Sequence, residues 1–204
     1  MKRIGLFGGS YNPIHNGHIA IGRTMLKAME LDEVWYMVSP QNPWKRGDSD
    51  LAPEQVRYEI TKAALDGEEG LIASDYEFHL PRPSYTWNTL QHLEQDYPDH
   101  RFVLIIGGDN WDRFPQWAHA EEIMQRYQIA VFPRSHAQSS KLKDQSSKLK
   151  AQSLKRNAKC FMVNVPLINI TSTDIRRMLR NGEDVSDLVP KNILHMLSPW
   201  QIEN

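Results

Sequence analysis

The chain has 204 residues, of which 40% are hydrophobic and 24% charged, with a formal net charge of −1 and one cysteine, Cys160. This length suits one sizeable α/β domain, and the near-neutral charge gives no general reason to expect a nucleic-acid or membrane partner. A single cysteine excludes an internal disulfide framework and fits a reducing cytoplasm, and no apolar run approaches the roughly 18 residues of a membrane span. We therefore expect a cytoplasmic protein that binds neither nucleic acid nor membranes.

Six short apolar segments, rich in β-branched or aromatic residues, predict buried strands over residues 4–7, 34–38, 71–73, 102–106, 129–132 and 161–165. Helical periodicity between them predicts helices over residues 19–29, 53–65, 86–95, 118–126 and 174–181. This alternation predicts an α/β fold, with a doubly wound, mostly parallel, Rossmann-like sheet flanked by helices in a single domain over residues 1–204. Ligands of such sheets bind beyond the carboxyl ends of the strands, so we expect the site just after the first and fourth strands.

The first predicted strand runs into a glycine-rich turn and then a helix, with the sequence GGSYNPIHNGH over residues 8–18. Glycines at such a turn let a phosphate approach the backbone, and the helix start supplies free N–H groups and a positive dipole end. His15 and His18 would point toward the same region and donate hydrogen bonds to a polyphosphate. A zinc pair is the alternative, but no obvious third ligand accompanies the histidines.

A basic seven-residue repeat follows the fifth predicted strand, as AQSSKLK, DQSSKLK and AQSLKRN over residues 137–157. One apolar position per repeat falls short of the usual coiled-coil pattern. We interpret residues 135–158 as an insertion into the domain, and favour a solvated surface segment whose deletion would spare the fold. Self-association into a homo-oligomer and steering of phosphates are the alternatives.

The last predicted helix begins in the sequence ITSTDIR, residues 170–176. Hydroxyl residues at a helix start cap free N–H groups, and a partly capped start can accept an anion. Arg176 adds a planar charged fork suited to phosphate. An ordinary capped helix is the alternative interpretation of this segment.

Residues 5–18 resemble the HxGH nucleotidyltransferase superfamily, and ITSTDIR resembles its second signature, with Thr171 in place of a serine. Within that superfamily the chain resembles the bacterial nicotinate-nucleotide adenylyltransferases along nearly its whole length. The likeness is carried by PQNPWKR at residues 40–46, SYTWNTL at 84–90, IGGD at 106–109 and FPQW at 114–117. Asn12 stands where many relatives have aspartate, and Arg134 resembles a family arginine.

The resemblance implies transfer of the adenylyl group of ATP to nicotinate mononucleotide, giving deamido-NAD and pyrophosphate, so ATP and nicotinate mononucleotide are the expected partners. Mg²⁺ would arrive with ATP, without a dedicated metal site. The implied catalytic residues are His15, His18 and Arg176. The implied ATP-binding residues add Gly8, Gly9, Ser10, Lys45, Gly107, Asp109, Ser172 and Thr173, and the implied mononucleotide-binding residues are Asn42, Thr86 and Trp117.

Three other functions stay open at this point. The same fold could adenylylate nicotinamide mononucleotide or phosphopantetheine instead. A protein of another class, which senses a nucleotide without turnover, is the third.

Overall fold

The computed structural model describes residues 1–40, 50–133, 160–166 and 170–201. Six parallel strands form one sheet in the order β3-β2-β1-β4-β5-β6. The strands are β1 (Lys2–Gly9), β2 (Glu33–Val38), β3 (Leu71–Ser74), β4 (His100–Gly107), β5 (Gln128–Phe132) and β6 (Cys160–Met162). All six predicted strands and the doubly wound fold are confirmed, although the last strand ends at Met162 rather than at residue 165.

Helices pack on both faces of this sheet. Five of them end within three residues of the predicted ends, whereas the short helix over residues 108–113 was not predicted. The helices are α1 (Asn16–Ala28), α2 (Glu54–Ala64), α3 (Thr86–Asp96), α4 (Gly108–Arg113), α5 (Ala120–Arg126) and α6 (Ser172–Arg180). Short 3-10 turns span Tyr76–His79, Phe114–Gln116, Lys191–Met196 and Ser198–Trp200. In the described part of the chain, no helix is both long and apolar enough to cross a bilayer.

Successive side chains of the central strands point to opposite faces of the sheet, so the core has two layers. Phe7 of β1 and Ile105 of β4 face the layer covered by α1, α2 and α6, whereas Leu6 and Leu104 face the layer covered by α3, α4 and α5. Both faces of the sheet are thus buried, as continuous apolar strands require. The carboxyl edge of the sheet is left for a ligand. The strand order reverses there between β1 and β4.

The pairing of β5 with β6 limits what can be removed between them. The two strands are parallel, with Ile129 opposite Cys160, so the chain between them has to return to the other edge of the sheet. Such a crossover needs about a dozen residues or more. Deleting residues 137–157 would leave six residues, 133–136 and 158–159, for this path. Six residues are fewer than the crossover needs, so we now expect that one repeat can be removed without harm to the fold but that all three cannot.

We predict different outcomes for a short and a long deletion in this region. Removing one repeat, residues 144–150, should leave a single cooperative thermal transition, because 20 residues still join the strands. Removing residues 137–157 should lower the melting temperature and expose β6 to hydrogen exchange. Circular dichroism melts and peptide-level exchange check both. Equal stability of the two deletion proteins would contradict the crossover argument. The heptads themselves lie outside the described residues.

Candidate active site

A cavity of about 500 Å³ opens at the carboxyl edge of the sheet, where the strand order reverses. Its walls come from the ends of β1 and β2, the 3-10 turn before α3, the start of α3 and the segment after β4. The lining residues are Gly8, Gly9, Ser39, Glu77, Ser84, Tyr85, Thr86, Asn110, Gln116, Trp117 and Ala118. The volume suits a small organic ligand.

The loop after β1 turns sharply because of a buried tyrosine. Tyr11 has a positive φ of 46°, an unusual conformation for a residue other than glycine. Its hydroxyl donates a hydrogen bond to the carbonyl of Phe7. A Cβ on Gly9 would lie only 2.9 Å from the Tyr11 ring, so the glycine permits this close approach. The tyrosine ring in turn packs edge-on against His18 at 5.1 Å.

The two histidines of this loop form one stacked unit at the start of α1. His15 is the N-cap residue of the helix, and its ring lies 3.7 Å from the His18 ring at an interplanar angle of 27°. The backbone N–H of His15 donates to Nδ1 of His18 at 3.3 Å. Since Nδ1 accepts this bond, the proton of the neutral His18 ring is on Nε2. His18 is therefore prepared to donate a hydrogen bond through Nε2.

Close packing against β2 holds the first turn of α1 in place. The buried Tyr36 donates its hydroxyl proton to the carbonyl of His18 at 2.9 Å. A Cβ on Gly22 would lie 2.0 Å from the Tyr36 oxygen, so only glycine lets the helix come this close. Burial raises the pKa of the Tyr36 phenol well above its ordinary value. The hydroxyl consequently remains a donor at all physiological pH values.

The ITSTDIR segment meets the loop after β1 from the other end of the chain. Thr171 caps α6 by accepting a hydrogen bond from the N–H of Asp174 at 3.1 Å. Ser172 donates its hydroxyl to the carbonyl of Pro13 at 2.9 Å. A terminal nitrogen of Arg176 donates to the carbonyl of Asn12 at 2.9 Å. The start of α6 and the histidine pair thus belong to one structural unit.

A second nitrogen of Arg176 lies 3.4 Å from the Thr173 hydroxyl. Its Nε is buried and has no hydrogen-bond partner among the residues that the structure describes. The guanidinium of Arg176 consequently keeps unused donor capacity at the start of α6.

Asn12 joins this loop to two further segments. Its amide nitrogen donates to the carbonyl of Asp50 at 2.8 Å. Its amide oxygen accepts from the backbone N–H of Ala52 at 3.1 Å and from Nε1 of Trp200 at 3.0 Å. An asparagine satisfies this mixed set of partners, because its side chain carries both donors and an acceptor. The fold thus accommodates an asparagine where many relatives have aspartate.

A buried arginine on α2 joins the loops after β1 and β2 by hydrogen bonds to their backbone carbonyls. Arg57 on α2 is 1% exposed, and it donates to the carbonyls of Ser10 at 2.5 Å, Ser39 at 2.9 Å and Ala52 at 2.8 Å. Burial lowers the pKa of Arg57 to about 10, so the guanidinium remains charged at neutral pH. This buried positive charge lies beneath the glycine turn, where an anion would be favoured.

The far wall of the cavity is aromatic. The Trp117 ring packs against the Phe114 ring, with the two centroids 5.3 Å apart. Trp117 also lines the cavity. Thr86 is the first residue of α3, and the N-cap residue Tyr85 makes no side-chain capping bond. The first N–H groups of a helix have no partner within the helix. This wall therefore combines a flat apolar ring with backbone donors.

Gly107 and Asp109 stand at the end of β4. Gly107 is the N-cap residue of α4, and Asp109 lies in its first turn, so the aspartate does not take the N-cap position. Neither residue lines the cavity, whereas the next residue, Asn110, does.

Several expected site residues cannot be placed. Asn42, Lys45 and Arg134 lie outside the described residues. Across the described ranges, no group of three or more His, Cys, Asp or Glu side chains is arranged to hold a metal ion. The first turn of α1 carries no acidic residue, which suits a phosphate better than a cation.

Sequence reasoning missed Glu77 and Arg57. Arg57 had a signal, because residues 57, 60, 61 and 64 form the buried face of α2 and helical spacing would have placed a charge on that face. The sequence gives no comparable signal for Glu77, because the four-residue 3-10 turn Tyr76–His79 is too short to show a helical spacing of buried residues. Glu77 is half-buried and lines the cavity.

Comparison with known proteins identifies the family. The cytidylyltransferase-like family model matches residues 6–178. A protein of Cytophaga hutchinsonii, named a probable nicotinate-nucleotide adenylyltransferase, is 42% identical over 96% of this chain and 95% of its own length. A protein of Bacteroides fragilis with the same name is 40% identical over 90% of this chain and 85% of its own length.

Solved structures support the same fold. Plasmodium falciparum nicotinic acid mononucleotide adenylyltransferase complexed with NaAD has a TM-score of 0.73 at 20% identity, covering 97% of this chain and 96% of that one. An identity this low bears on the fold alone. The family model and the bacterial relatives, in contrast, cover most of the sequence. The chain therefore belongs to the cytidylyltransferase-like family and, within it, to the bacterial nicotinate-nucleotide adenylyltransferases.

Proposed function

We propose that this protein transfers the adenylyl group of ATP to nicotinate mononucleotide, forming deamido-NAD and pyrophosphate in NAD biosynthesis. The observation that carries the proposal is the meeting of two distant signature segments at one loop. Ser172 and Arg176 bind the carbonyls of Pro13 and Asn12, beside the stacked His15 and His18. A phosphate-binding region of this kind next to an aromatic cavity suits a dinucleotide product.

The chemistry needs no general base. An oxygen of the mononucleotide 5′-phosphate attacks the α-phosphorus of ATP, and the bond from that phosphorus to the β-phosphate oxygen breaks as pyrophosphate leaves. The attacking phosphate is already largely an anion near neutral pH, because its second pKa is about 6. Catalysis then consists of positioning the reactants and neutralising charge on the transferred group.

Each residue at the β1 loop has a proposed part in that task. His18 donates from Nε2 to the α-phosphate in the transition state, and His15 binds the phosphate chain. The backbone of Gly8, Gly9 and Ser10 approaches the phosphates from the turn. Arg57 adds a buried positive charge beneath them.

The start of α6 is proposed to hold the β- and γ-phosphates, through Ser172, Thr173 and Arg176. Two observations support this role: no described residue accepts a hydrogen bond from the Nε of Arg176, and a terminal nitrogen of the same side chain lies at the β1 loop, bound to the carbonyl of Asn12. Lys45 is proposed to approach the polyphosphate as well. Mg²⁺ arrives with ATP, held mainly by phosphate oxygens and water.

The cavity is proposed to take the pyridine end of the mononucleotide. Trp117 stacks on the ring, the N–H groups at the start of α3 around Thr86 meet the carboxylate, and Asn42 adds a contact. Gly107 and Asp109 meet ribose hydroxyls between the two sites. A cytoplasmic location is a prediction from the sequence, and self-association into a homo-oligomer stays an alternative role of the seven-residue repeats.

The test of this function is product formation. Purified protein with ATP, Mg²⁺ and nicotinate mononucleotide should release one pyrophosphate for each deamido-NAD detected by mass spectrometry. A protein that only senses nucleotides would bind ATP and release none.

Trp117→Ala should raise the KM for the mononucleotide about 5- to 150-fold, because stacking of a base on an aromatic ring contributes about 1–3 kcal/mol. The KM for ATP should change little. Trp87→Ala is the matched control, since Trp87 stacks on His119 at 5.0 Å instead of lining the cavity. Steady-state kinetics with each substrate varied in turn check the effect. An equal rise in both KM values for Trp117→Ala would indicate that this ring only fills the core.

A further inference from the structure

An acidic side chain is fixed in the wall of the cavity assigned to the pyridine. Glu77, on the Tyr76–His79 turn, lines that cavity together with Thr86 and Trp117. Its Oε1 accepts a hydrogen bond from the Thr89 hydroxyl at 2.9 Å, and the Ser39 side chain also hydrogen-bonds the carboxyl. The carboxyl is therefore held at the wall by two neighbours.

The protein surroundings disfavour the ionised form of this carboxyl. Burial raises the pKa of Glu77 to about 7, although the hydrogen bonds from Thr89 and Ser39 lower it in part. Glu77 is thus neutral in a large fraction of molecules at pH 6.5 and ionised in most at pH 8.5.

Tyr85, which lines the same cavity, is 41% exposed, and further ionisable groups on the elements around Glu77 are engaged with other partners. They are Asp75 and His79, 3.8 Å apart on the same turn, Tyr76, bound to Asp96, His92, bound to the carbonyl of Asn88 on α3, and Arg57 on α2, bound to the carbonyl of Ser39. Among the described residues, burial and two hydrogen bonds therefore govern the titration of Glu77.

We propose that Glu77 is a specificity-determining residue: its neutral form admits the carboxylate of nicotinate to the cavity, and its ionised form disfavours it. This inference rests on the proposed function. Two carboxylates that share one partly desolvated cavity repel each other, and binding of one favours protonation of the other. The amide of nicotinamide carries no charge and escapes this repulsion. The preference for nicotinate should therefore weaken as the pH rises through 7.

The test measures binding of both mononucleotides by calorimetry, without ATP, at pH 6.5 and 8.5. The Kd for nicotinamide mononucleotide divided by that for nicotinate mononucleotide should fall about tenfold over this range. The ratio cancels the ionisation of the 5′-phosphate and of the histidines, which both ligands share. At pH 7.5, binding of nicotinate mononucleotide should also take up more protons than binding of its amide, seen as a heat that depends on the buffer.

Glu77→Gln keeps an oxygen that can accept from Thr89 and removes the titration. Its Kd ratio should be the same at both pH values, and the extra proton uptake should vanish. Glu121→Gln removes the same charge from an exposed position on α5 and should behave as the wild type.

A wild-type ratio that does not change with pH, or a pH dependence that persists in Glu77→Gln, would overturn the inference. If Glu77→Gln does not fold, the wild-type ratio and proton uptake still decide the question. The binding result does not depend on turnover, so it tests the role of Glu77 separately. If the protein released no pyrophosphate with nicotinate mononucleotide and none with nicotinamide mononucleotide, the proposed function would be refuted instead.

Discussion

At pH 6.5, nicotinate mononucleotide should be used with a kcat/KM at least about 10² times, and as much as about 10⁴ times, that of nicotinamide mononucleotide. The start of α3 offers N–H donors, because Tyr85 supplies no side-chain cap. A carboxylate only accepts hydrogen bonds and suits these donors, whereas the amide would bring its own donors into the same place. The dipole of α3 adds to the preference, since its positive end favours an anion.

Parallel initial-rate measurements with both mononucleotides, at a fixed saturating ATP concentration, check this preference. Phosphopantetheine as a third acceptor is the appropriate control, because it shares the phosphate but lacks a pyridine ring, and it should give no product. Equal kcat/KM values for the two pyridines, or a preference for the amide, would contradict the assigned role of α3. The adenylyltransferase activity itself would still stand.

His18→Ala should lower kcat about 10²- to 10³-fold, the usual effect of removing one preorganised donor to transition-state charge. The bond from the His15 N–H holds Nδ1 as an acceptor and leaves Nε2 as the donor. Binding of the mononucleotide should change little, because the pyridine cavity does not include His18. Single-turnover rates and calorimetric binding separate these two effects.

His119→Ala is the matched control for that substitution, since His119 is an exposed histidine that stacks on Trp87 and lies 3.0 Å from Glu122. It should retain wild-type turnover. Full activity of His18→Ala would show that the assigned donor is wrong. A large loss of melting temperature in His18→Ala would show that the ring mainly supports the packing of Tyr11.

The strands and most helices could be predicted because their signals are local, and the proposed phosphate end of the site rests on signals of the same local kind. A short apolar run marks a strand wherever it packs, and GGSYNPIHNGH and ITSTDIR carry their pattern within a few residues. The hydrogen bond from His15 to His18 is also local, but its direction depends on the geometry of the turn. The proton position on His18 therefore had to come from the structure.

The residues that sequence reasoning missed depend on contacts between distant segments. Helical spacing can place Arg57 on a buried face, but no period shows that its partners are carbonyls of two loops. Glu77 reaches the cavity only because β3 ends beside β2 and the chain then crosses to α3. The sequence predicts a mostly parallel sheet, but it does not show that β6 lies directly beside β5, and this neighbourhood determines how much chain must remain between the two strands.

The contacts of the β1 loop also determine when the site can form during protein synthesis. The ribosome makes Asn12 among the first residues, whereas its partners Arg176 and Trp200 come near the end. The final segment also supplies Leu188, whose carbonyl accepts from the N–H of Asn16 at 2.9 Å. A nascent chain can therefore assemble β1 to β4 while its phosphate-binding loop still lacks these partners. Translation that stops before α6 would leave the nucleotide site without these partners, and it would leave one layer of the core without the buried side chains of α6 and the final segment.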